Sequence, residues 1–112
     1  WRYIMAFVEQ AHVNDIGTVF RVTVFDTSST GTATVADISS ATTKKFTFRR
    51  PDGTTFERVA VFTNSGSDGK IEYATVDGDL NGPGTWHLQA LVTTSDGTHN
   101  TSVGYFKVNE NL

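Results

Sequence analysis

The sequence predicts an all-β domain, built as a sandwich of about seven antiparallel strands. Runs that alternate apolar and polar residues recur along the chain, and no amphipathic pattern of helical length competes with them. Four Asp-Gly pairs, at residues 52–53, 68–69, 77–78 and 96–97, separate or precede those runs. Both residue types favour tight turns. The chain is also rich in Thr and Val, which suit a pleated sheet. A small barrel is the competing fold.

Length and composition fit one domain. The chain has 112 residues, of which 12% are aromatic, enough to fill one core. We expect residues 15–112 to form a single sandwich and residues 1–14 to form an N-terminal arm or an edge strand. The absence of cysteine excludes disulfides, a thiolate nucleophile and Cys-ligated metal sites. A net charge of −3 and the lack of a long apolar run predict neither a nucleic-acid nor a membrane partner.

The alternating runs define the strands in chain order. After the arm, the predicted strands are residues 18–26, 43–50, 56–63, 70–76, 85–93 and 102–108, with a further sheet contact near residues 32–35. A period of two assigns one set of side chains to the core. These are Phe20, Val22, Val24, Phe46, Phe48, Val59, Val61, Ile71, Tyr73, Trp86, Leu88, Ala90, Val92, Phe106 and Val108. The aromatic centre of that core is predicted to be Phe20, Phe46, Phe48, Trp86 and Phe106.

The segment 77–82 matches the first half of a calcium-binding loop. Asp77, Asp79 and Asn81 alternate before a glycine, as in the pattern that surrounds a hard cation with oxygen ligands. The second half fails, because Leu88 stands where a bidentate Glu is required and lies on a predicted core face. We therefore interpret the segment as an acidic turn between strands, with a calcium site of fewer ligands as the alternative.

Five of the nine basic residues lie in one predicted hairpin. They are Lys44, Lys45, Arg49, Arg50 and Arg58. Lys45 and Arg49 alternate onto the same strand face, and Arg58 could lie across from them. One interpretation is a solvated face whose charges also protect a sheet edge. The other is an electropositive docking patch for an acidic partner or a polyanion.

No arrangement of residues indicates catalysis or a cofactor. Ser, His and Asp are present without a nucleophile elbow or a glycine-rich oxyanion loop. The three histidines, His12, His87 and His99, lack the spacing of a metal-binding pair, and His87 is expected on an outward strand face. We predict that the chain is not an enzyme and that it holds no metal.

Aromatic residues could alternatively stack on sugars. Trp86 and Tyr105 are both assigned to core positions by their register. Outside the predicted core, Trp1, Tyr3 and Phe62 are the candidates for an exposed aromatic platform. A carbohydrate-binding or adhesin module is therefore the alternative function, and it requires such a platform.

Six segments, taken in order, carry a resemblance to a known family. They are residues 15–24, 37–42, 46–54, 68–73, 79–86 and the turn at 96–97. The series resembles the N-terminal domain of the phage baseplate upper protein family, over residues 15–108. The resemblance implies an immunoglobulin-like sandwich. The passage from Asp79 to Trp86 is also similar to the corner of immunoglobulin-like domains, where an aromatic residue fixes a long loop, and it places Trp86 at that position.

The resemblance also implies a function. In that family the domain anchors receptor-binding appendages to the phage tail and performs no catalysis. We therefore expect a non-enzymatic structural protein of a tailed bacteriophage virion, in the baseplate, the tail or the capsid decoration. Its expected partners are other virion proteins and copies of itself in a symmetric assembly. The expected docking surfaces are the N-terminal arm (residues 1–12), sheet edges and loop tips.

Overall fold

The computed structural model describes residues 2–6, 10–27, 33–95 and 97–110. Over these residues the chain contains strands and turns, and two sheets pack face to face as a sandwich. The all-β sandwich prediction is confirmed. Of the described residues, none belongs to a helix that is long and apolar enough to cross a membrane.

The described residues form eleven strand segments. In chain order they are β1 (Arg2–Ala6), β2 (Gln10–His12), β3 (Val19–Thr27), β4 (Ala33–Val35), β5 (Thr43–Arg49), β6 (Thr55–Val59), β7 (Val61–Phe62), β8 (Lys70–Ala74), β9 (Gly84–Thr94), β10 (Gly97–Asn100) and β11 (Gly104–Asn109). The number exceeds the predicted seven for two reasons. The N-terminal stretch and the run 56–63 each form two strands, and the short segments β4 and β10 add two more.

The strand order is that of an immunoglobulin-like domain. The first sheet runs β1-β3-β8-β7, with β4 also paired to β3. The second runs β2-β11-β9-β5-β6, with β10 also paired to β9. These orders correspond to strands A, B, E and D facing strands G, F, C and C′. The N-terminal stretch contributes to both sheets, since β1 pairs antiparallel with β3 while β2 pairs parallel with β11.

The core lies between the two sheets and is largely aromatic. The five predicted central aromatics are between 0 and 4% exposed. Phe20 packs against Phe48 and Phe106, with ring centroids 5.5 and 4.7 Å apart, so rings from both sheets interlock. Such pairs add to the free energy gained by burying their area.

Two core residues predicted in the run 56–63 are instead exposed. Val59 and Val61 are 73% and 57% exposed. On β6 the inward positions are Phe56 and Arg58, because Phe46 lies opposite Arg58 in the register. Ala60 is buried where the chain leaves the second sheet and enters the first. The run is therefore two strands joined by a sheet crossing, and the valines on either side of Ala60 face solvent.

Trp86 fixes the long loop before β9. Its ring is fully buried, and its indole Nε1–H donates a hydrogen bond to the carbonyl oxygen of Gly82 at 3.1 Å. The bond spans four residues and closes the loop onto the start of its own strand. This arrangement is the tryptophan counterpart of the tyrosine corner.

The Asp-Gly pairs form turns, and two of them differ in their surroundings. Gly53 and Gly69 have φ values of +91° and +73°, which favour glycine. A Cβ on Gly53 would meet no atom within 4 Å, whereas one on Gly69 would lie 2.6 Å from the carbonyl oxygen of Val24. That carbonyl already accepts a hydrogen bond from Ala36 N–H at 3.0 Å. Asp96, in the fourth pair, lies outside the described residues.

We expect Trp86→Ala to lower the free energy of unfolding by about 3–5 kcal/mol. The substitution removes the largest fully buried side chain of the described residues and leaves a cavity. Trp86→Phe keeps a ring but leaves the Gly82 carbonyl without its donor, so its effect should be smaller. Urea unfolding with an unchanged m value measures both differences. A loss below about 1 kcal/mol for Trp86→Ala would contradict the corner assignment.

We expect Gly53→Ala to lower the free energy of unfolding by about 1 kcal/mol, through backbone strain alone. Gly69→Ala should cost about 1–3 kcal/mol more, because its methyl group also displaces the Val24 carbonyl from the β3–β4 pairing. Thermal and urea unfolding of the two variants give the comparison. Equal losses would mean that the close contact at Gly69 carries no cost.

Candidate functional site

An ion pair between the buried carboxylate of Asp79 and the half-buried guanidinium of Arg58 links the two sheets at one end of the sandwich. Asp79 is 1% exposed, and its carboxylate accepts hydrogen bonds from Arg58 Nη2 at 2.6 Å and Arg58 Nε at 3.1 Å. Its second oxygen accepts from the Tyr73 hydroxyl at 2.5 Å and from the Val76 N–H at 3.0 Å. Four donors therefore converge on one carboxylate from β6, β8 and the loop after β8.

These contacts decide the ionisation of Asp79. Burial acts to raise its pKa, but the hydrogen bonds from Tyr73, Val76 and Arg58 together outweigh burial and hold the pKa below the ordinary value of 3.8. Burial also raises the pKa of Tyr73, and the neighbouring carboxylate adds to that shift. The hydrogen bond to Asp79 raises the pKa of Arg58. The cluster is therefore a charged pair with a neutral phenol at neutral pH.

The segment 77–82 is used as a structural turn. Both carboxylate oxygens of Asp79 are engaged by protein groups, so this residue faces the core and does not present a free ligand. Asp77 is exposed two residues earlier. Among the described residues, no group of three or more His, Asp or Glu side chains is placed to hold a metal ion. The geometry supports the acidic-turn interpretation over the calcium alternative.

The five basic residues of the predicted patch do not share one surface. Arg58 does not lie across from Lys45 and Arg49, because it occupies an inward position opposite Phe46 and pairs with Asp79. Lys44 lies over the Phe62 ring, 4.2 Å from its centroid. Arg50 stacks on Phe56 at 4.3 Å, and Arg58 approaches the same ring at 4.7 Å. Lys45 and Arg49 remain together on the outward face of the second sheet.

A shallow depression lies on that outward face. It has a volume of about 120 Å³ and is lined by Thr47, Arg49, Thr55, His87, Leu88, Gln89 and Val103. Tyr105 stands beside it, with its ring centroid 6.3 Å from that of His87. Gln89 Nε2 donates to the carbonyl oxygen of Thr101 at 2.8 Å, which fixes the amide against the sheet. The lining therefore combines hydrogen-bonding side chains with apolar surface, to which Leu88 and Val103 contribute.

The aromatic residues are distributed differently from the prediction. Tyr105 was assigned to the core, but it is 74% exposed. Its neighbours Phe106 and Val108 point inward, so an outward Tyr105 follows from the same period of two. Phe62 is half-buried, and Lys44 lies over one face of its ring. Trp1 and the side chain of Tyr3 lie outside the described residues.

The histidines lie on separate elements. His87 is in β9 and lines the depression, in agreement with its predicted outward position. His12 ends β2, where its backbone N–H donates to the Asp15 carboxylate at 3.0 Å. His99 lies in β10.

Comparisons with known proteins support the fold. No family model and no curated protein matches this sequence. Among solved structures, the chain is similar to CopC from Methylosinus trichosporium OB3b, with a TM-score of 0.54. The two share 12% sequence identity, and the match covers 96% of this chain and 98% of CopC. At this identity the similarity shows a shared sandwich fold and nothing further. The class established here is an immunoglobulin-like β-sandwich.

We expect Asp79→Asn to lower the free energy of unfolding by about 2–4 kcal/mol at neutral pH, because it leaves Arg58 without its counter-charge. Asp77→Asn makes the same chemical change at an exposed position, so it should cost less than about 0.5 kcal/mol. Urea unfolding measures both. Similar values for the two variants would show that the ion pair contributes no stability.

The difference in free energy of unfolding between wild type and Asp79→Asn should depend on pH. A folded pKa below 3.8 means that ionised Asp79 contributes stability above that value and loses its contribution as the pH falls through the lower, folded pKa. The difference between wild type and Asp79→Asn should therefore be constant above about pH 5 and shrink below pH 4. A difference that grows on acidification would contradict the assigned direction.

Proposed function

We propose that this chain is a non-enzymatic structural protein of a tailed bacteriophage virion that acts by docking to other virion proteins and to copies of itself. The resemblance to the baseplate upper protein family supports the virion setting. The sandwich fold agrees with the domain type that the resemblance implies. At Pro51-Asp52-Gly53 and at Asp68-Gly69-Lys70 the chain turns sharply, and each aspartate accepts a hydrogen bond from the backbone N–H two residues later.

An open apolar edge carries the docking proposal. Strands β6 and β7 end the second and first sheets, and within the described residues each pairs with only one neighbour. Val59 and Val61 stand exposed on these consecutive edge strands. Proteins that remain monomeric usually protect such edges with charge, proline or a covering segment. Glu57 and Arg58 place charges on β6, whereas β7 carries none. The two exposed valines, at the end of β6 and on β7, therefore favour a protein partner at this part of the edge.

A second candidate function is supported by a different observation. Exposed Tyr105 stands beside His87 at a depression lined by hydroxyl, amide and guanidinium groups. An exposed aromatic ring next to hydrogen-bonding groups is the arrangement that a carbohydrate-binding or adhesin module requires. The two functions use different parts of the surface and do not exclude each other.

We expect mass spectrometry of purified particles, from a host that carries this gene and releases phage, to detect this chain as a virion component. The double variant Val59→Gln, Val61→Gln should fold normally, because both side chains are already exposed, but should be incorporated at least about tenfold less. Ile16→Gln is the matched control, since Ile16 is an exposed apolar residue outside β6 and β7. It should be incorporated at the wild-type level.

Absence of the chain from purified particles would overturn the virion proposal. Its presence, together with normal incorporation of the double variant, would retain the virion assignment and reject the β6–β7 edge as the docking surface.

A further inference from the structure

We infer that the outward face of the second sheet carries a binding site for a carboxylate-bearing saccharide, centred on Arg49, His87 and Tyr105. The inference is independent of the virion assignment. It rests on the carbohydrate-binding candidate and specifies the ligand class for that function.

The register places the site residues in one row across four strands. Thr55 on β6 lies opposite Arg49 on β5, Arg49 lies opposite His87 on β9, and His87 lies opposite Tyr105 on β11. Neighbouring strands are about 4.8 Å apart, so Arg49 and Tyr105 are separated by about 10 Å along the row. A sugar ring placed over His87 can therefore reach the side chains on both sides.

The depression provides the hydrogen-bonding groups. Thr47 and Gln89 are opposite each other on the two central strands, next to the row of Arg49 and His87. Both line the depression, with Val103 at its side. A volume of about 120 Å³ is well below the 300–1,000 Å³ of pockets that enclose drug-sized ligands. The space is suited to one sugar ring resting on the surface with its hydroxyls toward the sheet.

Arg49 supplies an available positive charge. Among the described residues, no carboxylate lies within ion-pair distance of Arg49, and the acidic residue nearest to it in the sheet register, Glu57, pairs with Lys45 at 3.5 Å. A guanidinium group binds a carboxylate through two parallel N–H···O bonds. A carboxylate-bearing ligand therefore gains a bidentate contact with exposed Arg49 that a neutral sugar cannot make.

Tyr105 supplies the apolar contact. Tyr105 is 74% exposed, and its ring is tilted 55° from the His87 ring. The two rings are therefore not stacked, and the Tyr105 ring stays accessible to a ligand. An aromatic ring with a polar tip suits a ligand that has one apolar face and one hydrated face, as a pyranose does. Tyr105 and Arg49 thus contact opposite ends of the same ligand.

The surroundings favour a saccharide over a protein partner at this face. A stable protein interface covers about 800 Å² on each partner. The depression, with a volume of about 120 Å³, fits a single small ligand, and Thr47, Arg49 and Gln89 place hydroxyl, guanidinium and amide groups on its lining. These groups can hydrogen-bond to the hydroxyls and the carboxylate of an acidic sugar.

The test is an NMR titration of the ¹⁵N-labelled chain with three acidic saccharides, glucuronic, galacturonic and N-acetylneuraminic acid, and with glucose and galactose as neutral probes. We expect at least one acidic saccharide to shift the backbone amides of Arg49, His87 and Tyr105 in a saturable manner. Arg49→Gln should weaken that affinity about tenfold or more, since it removes a charged hydrogen-bonding partner. Tyr105→Ala should weaken it similarly, and Lys107→Gln should leave it within about twofold.

Lys107→Gln is a suitable control because Lys107 is exposed on the same strand as Tyr105, and its loss changes the net charge as much as that of Arg49. Neutral sugars that bind as well as the acidic ones, with no effect of Arg49→Gln, would overturn the carboxylate assignment and keep the carbohydrate-binding candidate. No shift at this face with any saccharide would overturn both. A tetraglutamate peptide that binds there more tightly than every acidic saccharide would assign the face to a protein partner and also overturn the inference.

Discussion

The ion pair between Arg58 and Asp79 is the interaction on which the rest of this sandwich depends. Arg58 occupies a half-buried inward position on an edge strand and pairs with Asp79, a buried carboxylate that would be costly to leave without a partner. Asp79 supplies the counter-charge from the loop that leads to β9, and Tyr73 completes the cluster from the opposite sheet. One carboxylate therefore fixes the distance between the sheets at this end. It also sets the path of the loop whose Gly82 carbonyl accepts the Trp86 hydrogen bond.

Strand β9 connects this structural corner to the outward surface. Its inward side chains, Trp86, Leu88, Ala90 and Val92, are all fully buried, and the intervening His87 and Gln89 line the depression. The strand is paired along both edges, to β5 on one side and to β10 and β11 on the other. The outward residues therefore lie on a strand that is hydrogen-bonded to neighbouring strands along both edges. A surface site benefits from such support, because its geometry does not depend on a loop.

Strand periodicity predicted most of the fold, and its failures have physical reasons. A period of two identified the inward faces of β3, β5, β9 and β11, because side chains two residues apart along a regular strand lie on the same face of the sheet. It failed at Val59 and Val61, where the chain changes sheets at Ala60 and an arginine takes an inward place. The Arg58–Asp79 pair joins residues 21 positions apart, and a single sequence contains no signal for such a contact. The outward position of Tyr105 was available from its alternation with Phe106.

The two proposed surfaces are compatible because the sheet separates them. Val59 lies opposite Lys45 in the register, and Lys45 is four residues from Arg49 along β5. At about 3.4 Å per residue, the exposed edge at Val59 is about 14 Å from the row that contains Arg49, His87 and Tyr105. A partner that pairs with the β6–β7 edge would extend the sheets sideways and leave the outward face of the second sheet in solvent. A chain held in a particle by this edge could therefore still bind a saccharide on that face, which unites the docking role and the binding site in one small domain.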